Sequence, residues 1–597
     1  MVELECLPYG AGQAGEGVCL LVRMGPYRIL LDCGLQDVSP LVVDAARSLP
    51  ADLVLCTHAH LDHARGLLAL HQAFPQLPIY ASEVTTELLP FNWPELDPAQ
   101  IPPFCQALPW RSPIEFQEGL TAELWPAGHL PGAAAFLLTY TTLQRTYTVF
   151  YTGDCFLSNS RLVEGFPLEE LRGLRPDVLI VEGSYGTSRH PRRRQQENQL
   201  AERVSQAITE GYSVLLPTPT LGLGQELLML LRSHHHFTGR DLNIWVSGTV
   251  AAACDAYIQL LPHLPTTVQN FAQHQPLFWD ERVRPRVRRL HTDPIGTAEE
   301  LRTGDLQPPC IILTDATADL SQYCRPGNGP WLLMLPQQLV TIHSSSDEPS
   351  LAERSQRHRQ LVLSQSRAVE KKLQAEIRAG RLAVETYLLA DHCDGPGTTQ
   401  LIHNLRPQHV VFVHSSPTYL SDLTSLDELH NRYHLHSPAS GTVVELPVGE
   451  TFLQPAAPET SYEGELTELG TVVTITLPDA ITVDTRWHNF ADTGLIEARW
   501  QGEELVLRGL PQWELLTQGS DRPAPVTLDC CGNCQHYRGQ RCWNQTSPLF
   551  DFKVAPEGYC PVFEPIHPES PSSSSPLSNT LTGDLEGPNS DDEPELN

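Results

Sequence analysis

No apolar run in this sequence approaches the roughly 18 residues that a bilayer-spanning helix needs. The first residues, Met1-Val-Glu-Leu-Glu-Cys-Leu, place no basic region ahead of an apolar stretch, so no secretory signal is expected. These two absences point to a soluble, cytoplasmic protein without membrane association. Positive charge is also scarce, with 40 Lys and Arg against 71 Asp and Glu and a net charge of −31. This counts against a surface that grips nucleic acid everywhere through counterion release. A polyanion would have to be drawn into a local basic cleft, or by metal ions. A disulfide framework is missing as well. Ten of the fifteen cysteines are scattered singly through the first 400 residues, and Cys33, Cys56 and Cys155 sit in apolar, strand-like runs. Buried free thiols in a reducing compartment are expected there.

The 597 residues suffice for several domains, and 51 prolines between apolar runs mark many turns. Over 1–182, short β-rich runs such as Arg28-Ile-Leu-Leu-Asp-Cys-Gly and Thr148-Val-Phe-Tyr-Thr-Gly-Asp alternate with turns and helix-like segments, among them Leu61 to Ala73. That pattern predicts a layered α/β core. The texture changes over 183–385, with helices expected around Gln195 to Glu210 and Gly224 to Arg232 and a polar, helix-prone stretch at Ser350 to Arg381. It returns to the first kind over 386–450, so 183–385 reads as an insertion into the core. A small β-rich unit is expected at 460–517 and a cysteine-rich module at 528–564. The tail 565–597 is rich in Ser, Pro and acid without Lys or Arg, and is expected to be disordered.

Chemistry is concentrated in Thr57-His58-Ala59-His60-Leu61-Asp62-His63, which follows the apolar run Leu53 to Cys56. Three imidazoles and a carboxylate at one strand end are ligand types suited to zinc; a histidine-bearing surface loop is the plainer reading. Further donors follow strand-like runs: His129 after Gly128, and Asp154 after Gly153. Asp154 has two oxygens with which to bridge two metals. Asp32, at the end of another run, would hydrogen-bond and orient loop or ligand groups.

With these motifs the chain resembles the metallo-β-lactamase superfamily, which implies a four-layer αββα sandwich with a two-metal site along one edge. Three further motifs resemble its β-CASP branch, which includes RNase J and the nuclease subunit of the cleavage and polyadenylation factor. They are Val181-Glu182-Gly-Ser-Tyr-Gly followed by His190-Pro-Arg, then Ala390-Asp391-His392-Cys393-Asp394, then Val411-Phe-Val-His414. The middle one normally reads Ser-Ala-His-x-Asp. The implied architecture is the sandwich with an α/β β-CASP cap inserted at 183–385. DNA repair members tend to carry valine in place of the last histidine, so His414 favours RNA.

By this resemblance His58, His60 and His129 would hold one zinc, and Asp62, His63 and His414 the other, with Asp154 shared and manganese as a substitute metal. The catalytic set it implies is Asp62, Glu182 and His392. His392 would act as general acid towards the departing ribose oxygen, and Glu182 would orient His392 or His414. The implied substrate is single-stranded RNA. Departures from the pattern fall in the cap. The usual Pro-Ala-Phe-Ala-x-Gly-Arg-x-Gln-Glu reads Pro217-Thr-Pro-Thr-Leu-Gly-Leu-Gly-Gln-Glu226, with Leu223 where arginine is usual. The usual Gly-Met element is not recognisable, and Ser415-Ser416 stands for Gly-Glu. Arg192, Arg193 and Arg194 are candidate compensating phosphate contacts, or simply a solvated face.

A second candidate metal site is Cys531-x2-Cys534-x7-Cys542-x17-Cys560, a set able to hold structural zinc or an iron–sulfur cluster in a module too small for a core of its own; unliganded thiols are the plainer reading. Such a module suits a protein partner or nucleic acid. The expected function is zinc-dependent RNA cleavage. A weakened member that binds RNA or protein, and a hydrolase of small esters, are the competing readings. A homo-oligomer is compatible with each.

Overall fold

The computed structural model describes residues 4–13, 15–42, 48–290, 306–324, 329–337 and 367–448 of a first unit, Met1–Pro458. Of a second unit, Glu459–Asn597, it describes four strands between 465 and 509 and the short pieces 534–538 and 541–544. Each unit is taken by itself.

In chain order the strands of the first unit are β1 (Leu4–Ala11), β2 (Val18–Met24), β3 (Tyr27–Leu31), β4 (Leu53–Leu55), β5 (Ile79–Ser82), β6 (Cys105–Leu108), β7 (Ile114–Gln117), β8 (Leu120–Pro126), β9 (Ala134–Thr141), β10 (Thr146–Tyr151), β11 (Val178–Glu182), β12 (Ser213–Thr218), β13 (Asn243–Ser247), β14 (Arg286–Leu290), β15 (Ile311–Asp315), β16 (Trp331–Pro336), β17 (Leu382–Tyr387), β18 (His409–Val413), β19 (His434–His436) and β20 (Val444–Glu445). They form one sheet of order β20-β1-β2-β3-β4-β5-β6, a second of order β19-β18-β11-β10-β9-β8-β7, and a third of order β14-β13-β15-β12-β16-β17.

The first two sheets share a design. In each, an antiparallel half built from hairpins passes into a parallel half: β3 pairs parallel with β4, and β10 with β11. The strand patterns follow from this. β1 alternates buried and half-buried residues, as an antiparallel strand with one covered face should. β11 and β18 are buried along their whole length, as central parallel strands covered on both faces should be. Leu20, Ile29, Leu31 and Leu55 from the first sheet meet Phe136, Val149, Ile180 and Val411 from the second in one apolar core. Residues of the opposite strand faces, such as Leu30, Val54, Leu179 and Phe412, pack instead with helix residues including Leu67, Leu70, Leu401 and Ile402.

The third sheet is parallel throughout and lies in the chain between β11 and β18. Those two strands nevertheless pair directly, from Val178 with His409 to Glu182 with Val413. The inserted layer therefore leaves and re-enters the second sheet at neighbouring strands. Helices Arg193–Thr209 and Leu223–Ser233 fall close to where periodicity put them. The helix expected over 61–73 is broken into Leu61–Ala64 and Leu67–Ala73. Gly66 causes the break: its N–H donates to Cys33 O at 2.9 Å, so the chain turns to meet the loop after β3. Cys33, Cys56 and Cys155 are free and fully buried.

The second unit contains the hairpins Glu465–Leu469 with Val472–Thr476 and Ile496–Gln501 with Glu504–Gly509, both inside the expected β-rich stretch. Of the four candidate cysteine ligands, Cys534 is described and buried. Cys531, Cys560 and the side chain of Cys542 lie outside the described residues, as does the tail 565–597. Among the described residues no helix is long and apolar enough to cross a membrane.

Candidate metal centre

The polar residues singled out from sequence sit just past the carboxyl ends of strands, where the loops of the first two sheets meet. Asp32 follows β3, His58 follows β4, His129 follows β8, Asp154 follows β10 and His414 follows β18. Two of them, Asp32 and His414, have left-handed backbones with φ of 60° and 59°, a conformation that non-glycine residues hold only when their surroundings impose it. Asp32 is held by what it accepts: Thr57 N–H at 2.6 Å, His63 Nδ1 at 2.9 Å and Tyr151 OH at 2.7 Å. His414 is held by its own N–H, which donates to Ala11 O at 2.7 Å and joins the two sheets. Gly128, at φ 78°, gives His129 its place, because a Cβ there would lie 2.2 Å from Phe156 O.

Around this frame the side chains converge. His58 Nε2 lies 3.2 Å from His60 Nδ1, and His60 Nδ1 lies 3.0 Å from His129 Nε2. Asp154 Oδ2 stands 3.4 Å from His58 Nε2 and 3.7 Å from His129 Nε2. On the other side Asp154 Oδ1 is 3.3 Å from His63 Nε2 and 3.4 Å from His414 Nδ1, while His414 Nε2 is 3.1 Å from Asp62 Oδ2. The chain thus assembles His58, His60, His129 and Asp154 as one set of donors and Asp62, His63 and His414 as a second, with Asp154 between them.

The outer hydrogen bonds fix which ring nitrogens carry protons. His129 Nδ1 donates to Asp391 O at 2.8 Å, His60 Nε2 faces Leu221 O at 3.4 Å, and His58 Nδ1 donates to Thr57 Oγ1 at 2.9 Å. Their remaining nitrogens therefore turn three lone pairs towards one another beside a carboxylate oxygen. His63 Nδ1 donates to Asp32, leaving its buried Nε2 3.3 Å from Asp154 Oδ1. Buried lone pairs facing each other are costly unless a cation lies among them. The donor set fits divalent metal.

Charge is distributed unevenly over the centre. Burial, followed by neighbouring histidines, depresses His58, His60 and His129 to about 4, so these rings are neutral near pH 7. Burial is the largest single influence on His63 and His414 and acts against a proton, but the surrounding carboxylates, Asp154 foremost, together outweigh it and raise both. Asp154 is held well below the usual carboxylate range: burial opposes its charge, and His414, His63, His58 and His392 overcome that.

Glu182 and His392 lie against the same centre. His392 Nδ1 meets Glu182 Oε2 at 2.8 Å and lies 4.0 Å from Asp154 Oδ2. Glu182 Oε1 accepts the N–H of Cys155 at 2.7 Å. Burial lowers and three carboxylates raise the tendency of His392 to keep its proton; the balance is upward, with Glu182 the strongest of the three. Three participants had no assigned role at the sequence level. Ser184 donates to Glu182 and meets His414 Nδ1 at 3.0 Å, Thr57 ties Asp32 to His58, and Asp391 places its carboxylate 3.6 Å from His392 Nε2. Each sits within or beside a motif already recognised, the only signal that marked it.

The arginine triplet divides. Arg193 turns inward, bonded to Glu197, Glu226 and the Ala390 carbonyl with its side chain 8% exposed, so it ties the inserted layer to the His392 loop and is not available as a phosphate contact. Arg192 and Arg194 are exposed. Leu223 is buried in the apolar core, and the preceding Leu221 and Gly222 lie over His60.

A buried His/Asp cluster at the joined loop ends of two mixed sheets is a candidate centre for divalent metal. Residues 27–208 match the β-lactamase superfamily domain. Over 573 residues the chain is 50% identical to the uncharacterized protein sll0514 of Synechocystis sp., covering 94% of this chain and 97% of that one. It is 29% identical over 251 residues to the probable RNase MJ4 of Methanocaldococcus jannaschii, covering 39% of this chain and 57% of that one. It is 25% identical over 456 residues to cleavage and polyadenylation specificity factor 73 of Drosophila melanogaster, covering 70% of this chain and 61% of that one. The chain belongs to the metallo-β-lactamase superfamily, and its relatives include nucleases of the β-CASP branch. It spans less than two thirds of the length of the last two relatives. The family and the His/Asp cluster together imply divalent metals.

Proposed function

We propose that the chain is a zinc-dependent ribonuclease that hydrolyses phosphodiester bonds of single-stranded RNA. Its core is read as the four-layer αββα sandwich and its third sheet as a β-CASP cap. His58, His60 and His129 would hold one ion and Asp62, His63 and His414 the other, with Asp154 available to both. When bound, the two ions supply a water acidified towards neutrality and positive charge beside the phosphoryl oxygens. The chain's own residues do the rest. Asp32 orients His63, and the Asp391 and Leu221 carbonyls orient His129 and His60. Glu182 holds His392 by its Nδ1, leaving Nε2 to donate a proton to the departing 3′ oxygen. Ser184 ties that pair to His414.

The observation that carries this reading is the convergence of three histidine nitrogens, from His58, His60 and His129, beside one carboxylate oxygen of Asp154. Incubating 5′-labelled RNA oligonucleotides with the purified protein tests it, with zinc or manganese added and metal content measured alongside. Cleavage should depend on metal and fall by at least about a hundredfold in His60→Ala; cleavage at wild-type rate in that variant rules the reading out.

The buried Leu223 favours a second reading, in which the metal core is kept but RNA is held weakly and the chain serves mainly as a binding protein, with its C-terminal cysteine module contacting a partner. Many turnovers per enzyme on an RNA oligonucleotide would exclude it.

A further inference from the structure

The turn after Glu182 carries an aromatic side chain to the edge of the proton donor. Tyr185 is partly buried, and its ring meets that of His392 edge-on with 6.0 Å between centroids. It also meets the ring of His190 edge-on at 4.2 Å. The turn itself is closed by two backbone bonds, Gly186 N–H to Gly183 O and Ser188 N–H to Tyr185 O. Tyr419, 43% exposed, packs against Gly186, where a Cβ would come within 2.9 Å of the tyrosine Cβ. Beyond the turn the His190 N–H donates to Asp394 Oδ2 at 2.9 Å, and Asp394 also caps the helix Gly395–Leu405. The Tyr185–His190 pair is thereby anchored to the loop that carries His392.

In the reaction proposed above, His392 gives its proton to the ribose 3′ oxygen that departs. The ribose bearing that oxygen must then lie against His392. A nucleobase sits across its ribose from its own 3′ oxygen, a few ångströms away, and Tyr185 stands beside His392 with 6.0 Å between ring centroids. Aromatic rings take the π-face of any base, whatever its hydrogen-bonding edge. Burial holds His190 below the usual histidine range, so its ring is uncharged near pH 7 and continues the aromatic surface.

Resting on the ribonuclease reading, the geometry points to a nucleobase subsite formed by Tyr185 and backed by His190, which stacks the base of the nucleotide whose 3′ oxygen leaves. The subsite accepts all four bases. It supplies grip on single-stranded RNA in a chain whose cap has leucine at position 223, and it does so without positive charge.

The test uses an RNA oligonucleotide cut by the full-length protein at one mapped bond, and two derivatives with an abasic ribose on one or the other side of that bond. KM and kcat are measured for wild type, Tyr185→Ala, the bulkier apolar Tyr185→Leu, and Tyr185→Phe. In wild type, removing the base on the leaving-oxygen side should raise KM about tenfold. Tyr185→Ala and Tyr185→Leu should raise KM for intact RNA by a similar factor and abolish the penalty for that abasic position. Tyr185→Phe, which keeps the ring, should keep the abasic penalty. A packing role alone would leave the abasic penalty unchanged in the variants. If RNA is cut and the penalty persists in Tyr185→Ala and Tyr185→Leu, or is missing from wild type, the subsite is overturned while the ribonuclease reading stands. If no RNA is cut, both fall together.

Discussion

Single residues in the centre divide by the proton each would have to give up. His58, His60 and His129 are depressed to about 4 by burial first and by neighbouring histidines next, and so offer lone pairs without releasing a proton near pH 7. His63 and His414 are raised by the carboxylates around them, so in the metal-free protein they keep their protons to higher pH than a free imidazole does. Metal must displace those protons. Adding zinc to weakly buffered, metal-free protein near pH 7 should therefore acidify the solution, and zinc affinity should climb with pH through the range where the two rings lose their protons. Calorimetry in buffers of different ionisation enthalpy reads the number released. Zinc binding with no proton release would contradict these two assignments. The three residues that escaped sequence reading, Thr57, Ser184 and Asp391, act through hydroxyls and a carbonyl or carboxylate at hydrogen-bond range. Nothing in their type distinguishes them from turn residues, and their roles depend on partners far along the chain.

The short helix Leu61–Ala64 sets the relation between the two donor sets, since Asp62 and His63 belong to it and His60 immediately precedes it. It sits directly on Gly34, where a Cβ would come 1.6 Å from Asp62 O. Gly34→Ala must push this helix off its seat. The cost should be about 3 kcal/mol or more, seen as a lower thermal midpoint together with weakened zinc binding. Unchanged metal affinity would show that the helix tolerates the shift. The donor motif itself was legible in sequence because four of its ligands are crowded into six residues just past a strand end. The break at Gly66 was not, because it depends on a bond to Cys33. Nor was the order of strands in the third sheet. A run such as Trp331–Pro336 reads equally as a buried strand or a buried helix segment, and pairing with β12 and β17 decides the matter. Nor was the inward turn of Arg193 within the arginine triplet: a basic run looks solvated until the carboxylates of Glu197 and Glu226 meet it.

Across the whole first unit, the centre draws on loops from Asp32 to His414, so a bound metal stabilises the full assembly of both sheets. Free metal at a hundred times its dissociation constant should add about 2.7 kcal/mol to the stability of the folded unit. A chelator should lower the thermal midpoint of the wild type and leave that of His60→Ala less affected. Equal shifts in both would place the stabilising metal elsewhere.

The pairing of β11 with β18 carries a consequence for how the chain reaches this state. Val178 and His409 are about 230 residues apart in sequence, and joining them from an open chain means closing a very long loop. Both strands flank the inserted parallel sheet, so forming that sheet first would bring their ends together and leave a short closure in place of a long one. The order of events then matters. A lesion in the inserted layer would slow assembly of a metal centre to which that layer contributes none of the seven candidate ligands.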